Sequence, residues 1–276
     1  MNRIIVNFAP NGLIPTKEQN ISVPVTVKEI VNDVIMANGL GITMVHIHAR
    51  DEISGEATYK KETYKRIING IREKIPELVI CVSKSGRKFS EFGQRSEVLE
   101  LSGDDKPDMA SLTLSSLNFN NQASINEPEI IARLLDKMNE NHIKPELEVF
   151  DLGMINYSKY LITKKLLEPP FYFNLILGSI ACAQVDLLHI GALTNSLPES
   201  SIFSIGGIGK SQRKANALSA AMGYGVRIGL EDNLWYDEER IILATNETLL
   251  KRLHVIIKAN ESKVLTSAEL KIELMI

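Results

Sequence analysis

The chain has 276 residues, and 44% of them are hydrophobic, which is enough apolar material to bury a sizeable core. The formal net charge of -3, without any basic run, predicts that nucleic acid is not a partner. No apolar stretch approaches the ~20 residues of a membrane helix, and no signal peptide is recognised. The two distant cysteines are typical of reduced thiols. The sequence therefore predicts a cytoplasmic protein without a membrane partner.

Short runs of Val, Ile, Leu and Phe alternate with amphipathic helical segments along the whole chain. Several of these runs are almost continuously apolar, which is typical of parallel strands covered on both faces. The predicted strands are residues 3–8, 43–48, 78–83, 109–113, 146–150, 171–177, 202–206 and 225–230.

The segments between the strands have clear helix signals. Thr26 and Glu29 form a capping box before an apolar stripe, and Pro128 begins another stripe. Eight strands, each followed by a helical segment, predict a (β/α)8 TIM barrel that forms a single domain over residues 1–276. A doubly wound open sheet is the alternative fold.

His46 and His48 lie at the end of the second predicted strand. Because side chains alternate between the faces of a strand, both imidazoles point to one side and are able to share a metal ion. In a barrel, the C-terminal ends of the strands form the active site. A metal site still needs at least a third ligand from elsewhere in the chain.

Charged residues are concentrated at the last predicted strand, where Arg227 lies inside an apolar run and Glu231 and Asp232 follow it. A buried arginine needs a paired charge. Glu231 is a candidate third ligand, which would complete a two-histidine, one-glutamate zinc site with an open position. Asp232 is then a candidate general base that Arg227 holds and tunes. A purely structural arginine–carboxylate network is equally consistent with the sequence.

The third and fourth predicted strands end in small polar residues. Ser83 and Gly86 offer hydrogen bonds and a close backbone approach, and Arg87 offers a fork for a carboxylate or phosphate. Ser111 and Thr113 share one face of the fourth strand and are candidate substrate-binding hydroxyls. An ordinary polar loop and small residues that fill a barrel layer are the alternatives.

Glu146 and Glu148 share one face of the fifth predicted strand. Inward carboxylates close to a metal ion act as ligands or orient the ligands through hydrogen bonds. Pairing with lysine or arginine from neighbouring strands is the alternative.

Gly206, Gly207 and Gly209 follow the seventh predicted strand and precede a helical segment. Glycines before a helix N-terminus favour anion binding, and barrels often bind phosphate after strands seven and eight. The spacing differs from a Walker A sequence, and the position differs from that of a Rossmann fingerprint. We therefore predict that these glycines bind a phosphate-bearing cofactor such as coenzyme A.

Taken in order, several of these segments resemble the β-keto acid cleavage enzyme family. They are residues 15–20, 23–26, 45–51, 109–112, 144–155 and 226–233, and the resemblance extends over nearly the whole chain. It implies a (β/α)8 barrel with one zinc ion per chain that assembles as a homo-oligomer, a dimer or a tetramer. It also implies an acyltransferase that converts a β-keto acid and its co-substrate acetyl-CoA into acetoacetate and a new acyl-CoA.

The resemblance assigns roles to residues. It implies three zinc ligands, which are His46, His48 and Glu231. Asp232 would be the catalytic base, and Arg227 would activate and orient it. Ser83 and Ser111 correspond to hydroxyls that bind the substrate.

One position departs from the family's type member, which has a glutamate two residues after the glycine of its first βα loop to meet a substrate amino group. Here Gly12 is followed at that distance by Ile14, which cannot pair an ammonium. We therefore predict a neutral or apolar keto acid, or an acidic one held by Arg87, rather than the amino-substituted one. The turn at 84–87 is more basic than in the type member, which a second substrate carboxylate or a coenzyme A phosphate would explain.

Two other functions fit parts of the pattern. A metal-dependent C–C lyase or aldolase on the same barrel would also use paired histidines, but it would form product without a thioester. A barrel that binds acyl-CoA without catalysis is the second alternative. Such a protein has no need of the buried charges of Arg227, Glu231 and Asp232.

Overall fold

In the described residues, 2–276, the computed structural model contains eight parallel strands that close into a barrel. The strands are β1 (Val6–Phe8), β2 (Met44–Ile47), β3 (Val79–Val82), β4 (Met109–Thr113), β5 (Lys144–Val149), β6 (Phe171–Leu177), β7 (Ser201–Gly207) and β8 (Gly225–Ile228). Each strand pairs with the next one along the chain, and β8 pairs with β1. The predicted (β/α)8 barrel is confirmed, and the alternative of an open sheet is wrong.

Helices surround the barrel. They are α1 (Val27–Leu40), α2 (Lys61–Arg72), α3 (Phe92–Ser96), α4 (Pro128–Glu140), α5 (Leu152–Thr163), α6 (Leu187–Ser196), α7 (Ser211–Met222), α8 (Asn246–Ala259) and α9 (Ser267–Leu274). The predicted capping box is present, because the Glu29 backbone N–H donates to Thr26 Oγ1 and the Glu29 carboxylate accepts from the Thr26 backbone N–H. These bonds satisfy two backbone donors at the start of α1.

The predicted first strand, residues 3–8, consists of two separate pieces. Arg3–Ile4 pairs in parallel with Lys263–Val264 near the end of the chain, and only Val6–Phe8 joins the barrel. The break is at Ile5, whose carbonyl accepts the backbone N–H of Val226 at 2.7 Å. The apolar pattern of residues 3–8 could not reveal this change of partner.

The N-terminal end of the barrel is closed by apolar side chains, which we name the floor cluster. Its buried members are Ile5, Met44, Val79, Cys81, Met109, Tyr172, Leu265, Leu270 and Leu274. Two of them are on α9, and the hydroxyl of Thr43 at the start of β2 donates to the Leu265 carbonyl at 2.7 Å. The C-terminal helix therefore seals one end of the barrel and leaves the polar strand ends at the other.

Beyond β4, a short antiparallel hairpin pairs Leu117–Asn118 with Ala123–Ser124. Among the helices of residues 2–276, none combines the length and the apolar composition that crossing a membrane requires. Cys81 and Cys182 are both free thiols.

Candidate active site

The histidine pair meets the predicted third ligand. His46 is on β2, His48 follows directly after it, and Glu231 follows β8; both strands pair with β1, so their ends are close together. The potential ligand atoms of the three side chains lie within 4.8 Å of one another. His48 Nε2 is 3.0 Å from Glu231 Oε1. The structure thus brings together three residues separated by up to 185 positions in the sequence.

The hydrogen bonds of these residues fit a divalent metal ion. His46 Nδ1 lies 2.6 Å from Glu146 Oε2, an arrangement that leaves His46 Nε2 as the available donor atom. Within residues 2–276, both His46 Nε2 and Glu231 Oε2 are buried without a hydrogen-bond partner. Unpartnered buried polar atoms are costly and rare in proteins. Two imidazole nitrogens and a carboxylate oxygen are a common donor set for zinc.

A second group of potential ligands, His46, Cys81 and Glu146, also lies within 4.8 Å. Its atoms are already engaged, because the Glu146 carboxylate accepts from His46 and from the Cys81 thiol, at 2.6 and 3.3 Å. Burial and the neighbouring glutamate raise the pKa of the Cys81 thiol well above its usual value, which disfavours the thiolate that a metal needs. The group with Glu231 is therefore the better metal site.

Glu146 is the centre of the network that holds His46. Its other oxygen accepts from the amides of Asn7 and Asn174, at 2.7 and 3.1 Å. Burial alone would lower the pKa of His46, but the carboxylates of Glu146 and Glu231 raise it to about 9. The prediction of an inward carboxylate that orients a ligand fits Glu146, and no sequence signal had indicated its two asparagine partners.

Arg227 joins Glu231 to Asp232. Its guanidinium is 2.8 Å from Glu231 Oε1 and 2.8 and 3.3 Å from the two oxygens of Asp232. Arg227 is 1% exposed, so these ion pairs are shielded from water. Burial raises the pKa of Asp232 above its usual value despite Arg227, whereas Arg227 and the two histidines overcome burial and hold the pKa of Glu231 well below its usual value. Glu231 therefore stays anionic, and Asp232 is the stronger base.

Gly12 was not recognised as a site residue from the sequence. It has a φ of +61°, and a Cβ atom added to it would lie 2.6 Å from Cγ of Glu231. The buried side chain of Arg50 holds this loop, donating to the carbonyls of Gly12 and Pro15 at 2.9 and 2.7 Å. Gly12 thus leaves the space that Glu231 occupies. The charge of Arg50, two residues after His48, was the only sequence signal for this support.

A cavity of about 550 Å³ opens above these residues at the C-terminal ends of the strands. Several predicted site residues line it, and they are Ile14, His48, Ser83, Arg87, Thr113, Gly209, Arg227, Glu231 and Asp232. Thr113 donates to Glu148, which also lines the cavity, at 2.6 Å. The cavity therefore lies at the C-terminal ends of the strands, where the predicted barrel fold placed the active site.

Four predicted binding residues are buried, and within the described chain they do not line this cavity: Gly86, Ser111, Gly206 and Gly207. The Ser111 hydroxyl accepts the backbone N–H of Lys84 at 3.1 Å, and Lys84 Nζ donates to the Ser111 carbonyl at 2.5 Å. A Cβ atom on Gly86 would overlap the Ile125 carbonyl oxygen. Contact of Gly86 and Ser111 with a substrate stays a prediction.

The glycines after β7 have different surroundings. A Cβ atom on Gly206 would press on the Arg227 side chain at 3.0 Å, and one on Gly207 would overlap the first turn of α7. Gly209 lines the cavity, and its backbone N–H donates to the Asp232 carbonyl at 2.7 Å. The first two glycines permit close packing, and cofactor binding by the three stays a prediction.

Comparisons with known proteins indicate the family of this chain. The family model described as beta-keto acid cleavage enzyme matches residues 3–276. The 3-keto-5-aminohexanoate cleavage enzyme of Fusobacterium nucleatum subsp. nucleatum is 32% identical over 255 residues, which is 92% of this chain and 90% of that protein. The 3-oxoadipate:acetyl-CoA acetyltransferase of Cupriavidus necator is 29% identical over 269 residues, which is 96% of this chain and 92% of that protein.

Among solved structures, the apo structure of ObcA matches with a TM-score of 0.79 at 20% identity. The match covers 92% of this chain and 65% of ObcA, and it supports the barrel fold alone. The family match over almost the entire length is independent of that structure. The chain therefore belongs to the beta-keto acid cleavage enzyme family.

Proposed function

We propose that this enzyme converts a β-keto acid and acetyl-CoA into acetoacetate and a new acyl-CoA. The proposal rests on one arrangement: a cavity lined by His48 and Glu231, two of three clustered potential metal ligands, and by a buried aspartate held by an arginine. The reaction needs a group that removes a proton between two carbonyls and a site that stabilises the negative charge so formed. The name of the Cupriavidus necator relative, an acetyl-CoA acetyltransferase, supports the choice of co-substrate.

Zinc is the metal that we propose, held by His46, His48 and Glu231. The donor set and the unpartnered atoms of His46 and Glu231 support this choice. A bound divalent ion would act as a Lewis acid towards the carboxylate and keto oxygens of the substrate.

Asp232 is the proposed catalytic base, and Arg227 is its positioning residue. Asp232 removes a proton from C2 of the keto acid, and its raised pKa suits that task. The C2 carbanion attacks the acetyl carbonyl, and the coenzyme A thiolate leaves. The thiolate then attacks C3, the C2–C3 bond breaks, and C2 recovers the proton from Asp232. Arg227 keeps the carboxylate aimed at C2 through both proton transfers.

Acetyl-CoA is proposed to bind beside the loop that follows β7. Gly209 lines the cavity there, and α7 begins two residues later, so the positive end of the α7 dipole favours a phosphate at this position. The Gly209–Asp232 hydrogen bond supports a position close to the proposed base.

The side chain at position 14 supports a substrate without an amino group. Ile14 lines the cavity and is 41% exposed, so an ammonium bound against it would lose water without gaining a charged partner. A neutral β-keto acid and a dicarboxylic one both agree with Ile14. The Cupriavidus necator relative is named for 3-oxoadipate, which belongs to the second class.

A homo-oligomer, a dimer or a tetramer, in the cytoplasm remains our proposal for the assembled enzyme. Ile180, Leu187 and Leu188 lie between β6 and the first turn of α6 and are 66%, 73% and 79% exposed, which favours a covered surface. Light scattering on protein eluting from a size-exclusion column measures the mass of the assembly directly. A mass near the 30.7 kDa of one chain would reject the proposed homo-oligomer.

The test of the reaction uses purified enzyme, acetyl-CoA and a panel of β-keto acids, with acetoacetate as the readout. We expect acetoacetate only when both reactants are present, loss of activity with a chelator, and recovery with zinc. Cleavage without acetyl-CoA would favour the lyase alternative. Binding of acetyl-CoA without turnover of any keto acid would favour the non-catalytic alternative.

A further inference from the structure

Arg87 lines the cavity in an unusual setting. It lies five residues beyond the end of β3, and its guanidinium carbon is 3.2 Å from the centre of the Phe119 ring. Phe150 packs against Phe119 at 5.6 Å in an edge-on arrangement, so the ring itself is held in place. A guanidinium stacked on an aromatic ring has a fixed plane and keeps its N–H edge available for a planar anion.

The Arg87 guanidinium has no ion pair and no hydrogen bond with any side chain or carbonyl of residues 2–276. Arg50, Arg95 and Arg227, which are more deeply buried than the partly exposed Arg87, all donate to carbonyls or carboxylates. Burial lowers the pKa of Arg87 to about 10, and the carboxylates of the cavity oppose that change. Arg87 is thus a positive charge at neutral pH that faces the cavity without a counter-ion.

The position of Arg87 separates it from the proposed acetyl-CoA site. Its loop follows β3, whereas Gly209 follows β7, and these strands are four apart in a closed barrel of eight. The two loops therefore lie on opposite sides of the cavity. An anion at Arg87 accordingly belongs to the keto acid, on the side away from the coenzyme A phosphates.

Resting on the proposed function, we propose that the substrate is a β-keto dicarboxylate whose second carboxylate, at the end remote from C1, binds the stacked guanidinium of Arg87. A carboxylate matches the guanidinium fork with two parallel hydrogen bonds. The overall reaction stays balanced: the acetyl group joins C2, coenzyme A joins C3, and the new acyl-CoA keeps the second carboxylate. The product is then the coenzyme A monothioester of a dicarboxylic acid.

The test compares 3-oxoadipate with 3-oxohexanoate, which has the same six-carbon chain but ends in a methyl group. The readout is the ratio of the two kcat/KM values for the wild type, Arg87→Met and Lys88→Met. Lys88 is the matched control because it is the neighbouring cation, is exposed, and pairs with Glu56. We expect the wild type to favour 3-oxoadipate and Arg87→Met to reduce that ratio roughly 10- to 100-fold, since hydrogen bonds between charged groups are lost. Lys88→Met should leave the ratio unchanged.

Two outcomes would overturn the proposal. The first is that the wild type favours 3-oxohexanoate. The second is that Arg87→Met raises the KM of acetyl-CoA equally with both keto acids, which would assign Arg87 to a coenzyme A phosphate. Calorimetry measures the binding of 3-oxoadipate in the absence of acetyl-CoA, and it therefore tests the carboxylate site at Arg87 independently of the proposed reaction. Binding that weakens in Arg87→Met supports the carboxylate site even without turnover, and binding that does not weaken rejects it. A circular dichroism melt checks that each variant folds.

Discussion

Substitution of Gly12 by alanine tests whether this glycine makes room for Glu231. Its φ of +61° makes alanine unfavourable by about 1–2 kcal/mol through the backbone alone. The added Cβ would lie 2.6 Å from Cγ of Glu231, whereas carbons in contact are about 3.5–4.0 Å apart, so Glu231 must move by roughly 1 Å. A displacement of this size at a reacting centre lowers rates about 100-fold, equivalent to about 2.7 kcal/mol. We expect Gly12→Ala to lower kcat/KM by about that factor.

Gly103→Ala is the matched control. Gly103 also has a φ of +61°, but no atom lies within 4 Å of the Cβ position, so alanine there has the backbone strain without displacing a side chain. Both variants should lower Tm by roughly 2–8 °C. Steady-state kinetics and zinc analysis after dialysis should show lost turnover and weakened zinc retention for Gly12→Ala alone. Full activity of Gly12→Ala, together with a Tm decrease like that of the control, would refute the reasoning.

Three further predictions concern the proposed base and the metal ligands. Asp232→Asn should retain zinc and the fold while kcat falls about 10²–10⁴-fold, and unchanged turnover would remove Asp232 from the mechanism. His46, with a pKa raised to about 9, is protonated below that pH and must lose this proton to bind metal. Zinc affinity, measured against a chromophoric chelator, should therefore rise about tenfold per pH unit up to pH 9 and then level off; a flat profile would contradict the pKa. Above pH 9, Glu146→Gln should weaken zinc binding about 10- to 100-fold, because His46 loses the carboxylate that orients it. Glu148→Gln, on the same face of β5, is the control and should leave zinc binding unchanged. Equal effects of the two substitutions would show that Glu146 does not orient His46.

The sequence was sufficient for those parts of the site that depend on strand ends. His46 and His48 are polar residues in an apolar run, and Arg227 is a charge inside another, so burial made each of them conspicuous. The barrel then required the ends of these strands to converge, which made Glu231 a reasonable third ligand before any distance was known.

The sequence was insufficient where strand register or loop shape decides the contact. The hydrogen bond between His46 and Glu146 spans the barrel interior and depends on the stagger of the strands. The stack of Arg87 on Phe119 depends on how two loops fold towards each other. Ser111 and Thr113 share a face of β4, but one lies deeper than the other, and only Thr113 reaches the cavity.

The floor cluster has a consequence for how this enzyme is able to evolve. The apolar residues that close the barrel lie at the end opposite to the cavity, and Ile14, Arg87 and Phe119 are on loops outside the barrel strands. A substitution at one of these three positions leaves the strand ladder and the sealed end intact. Single mutations at these positions can therefore change the substrate range with little loss of stability. The same number of substitutions in the floor cluster would destabilise the barrel and be removed by selection.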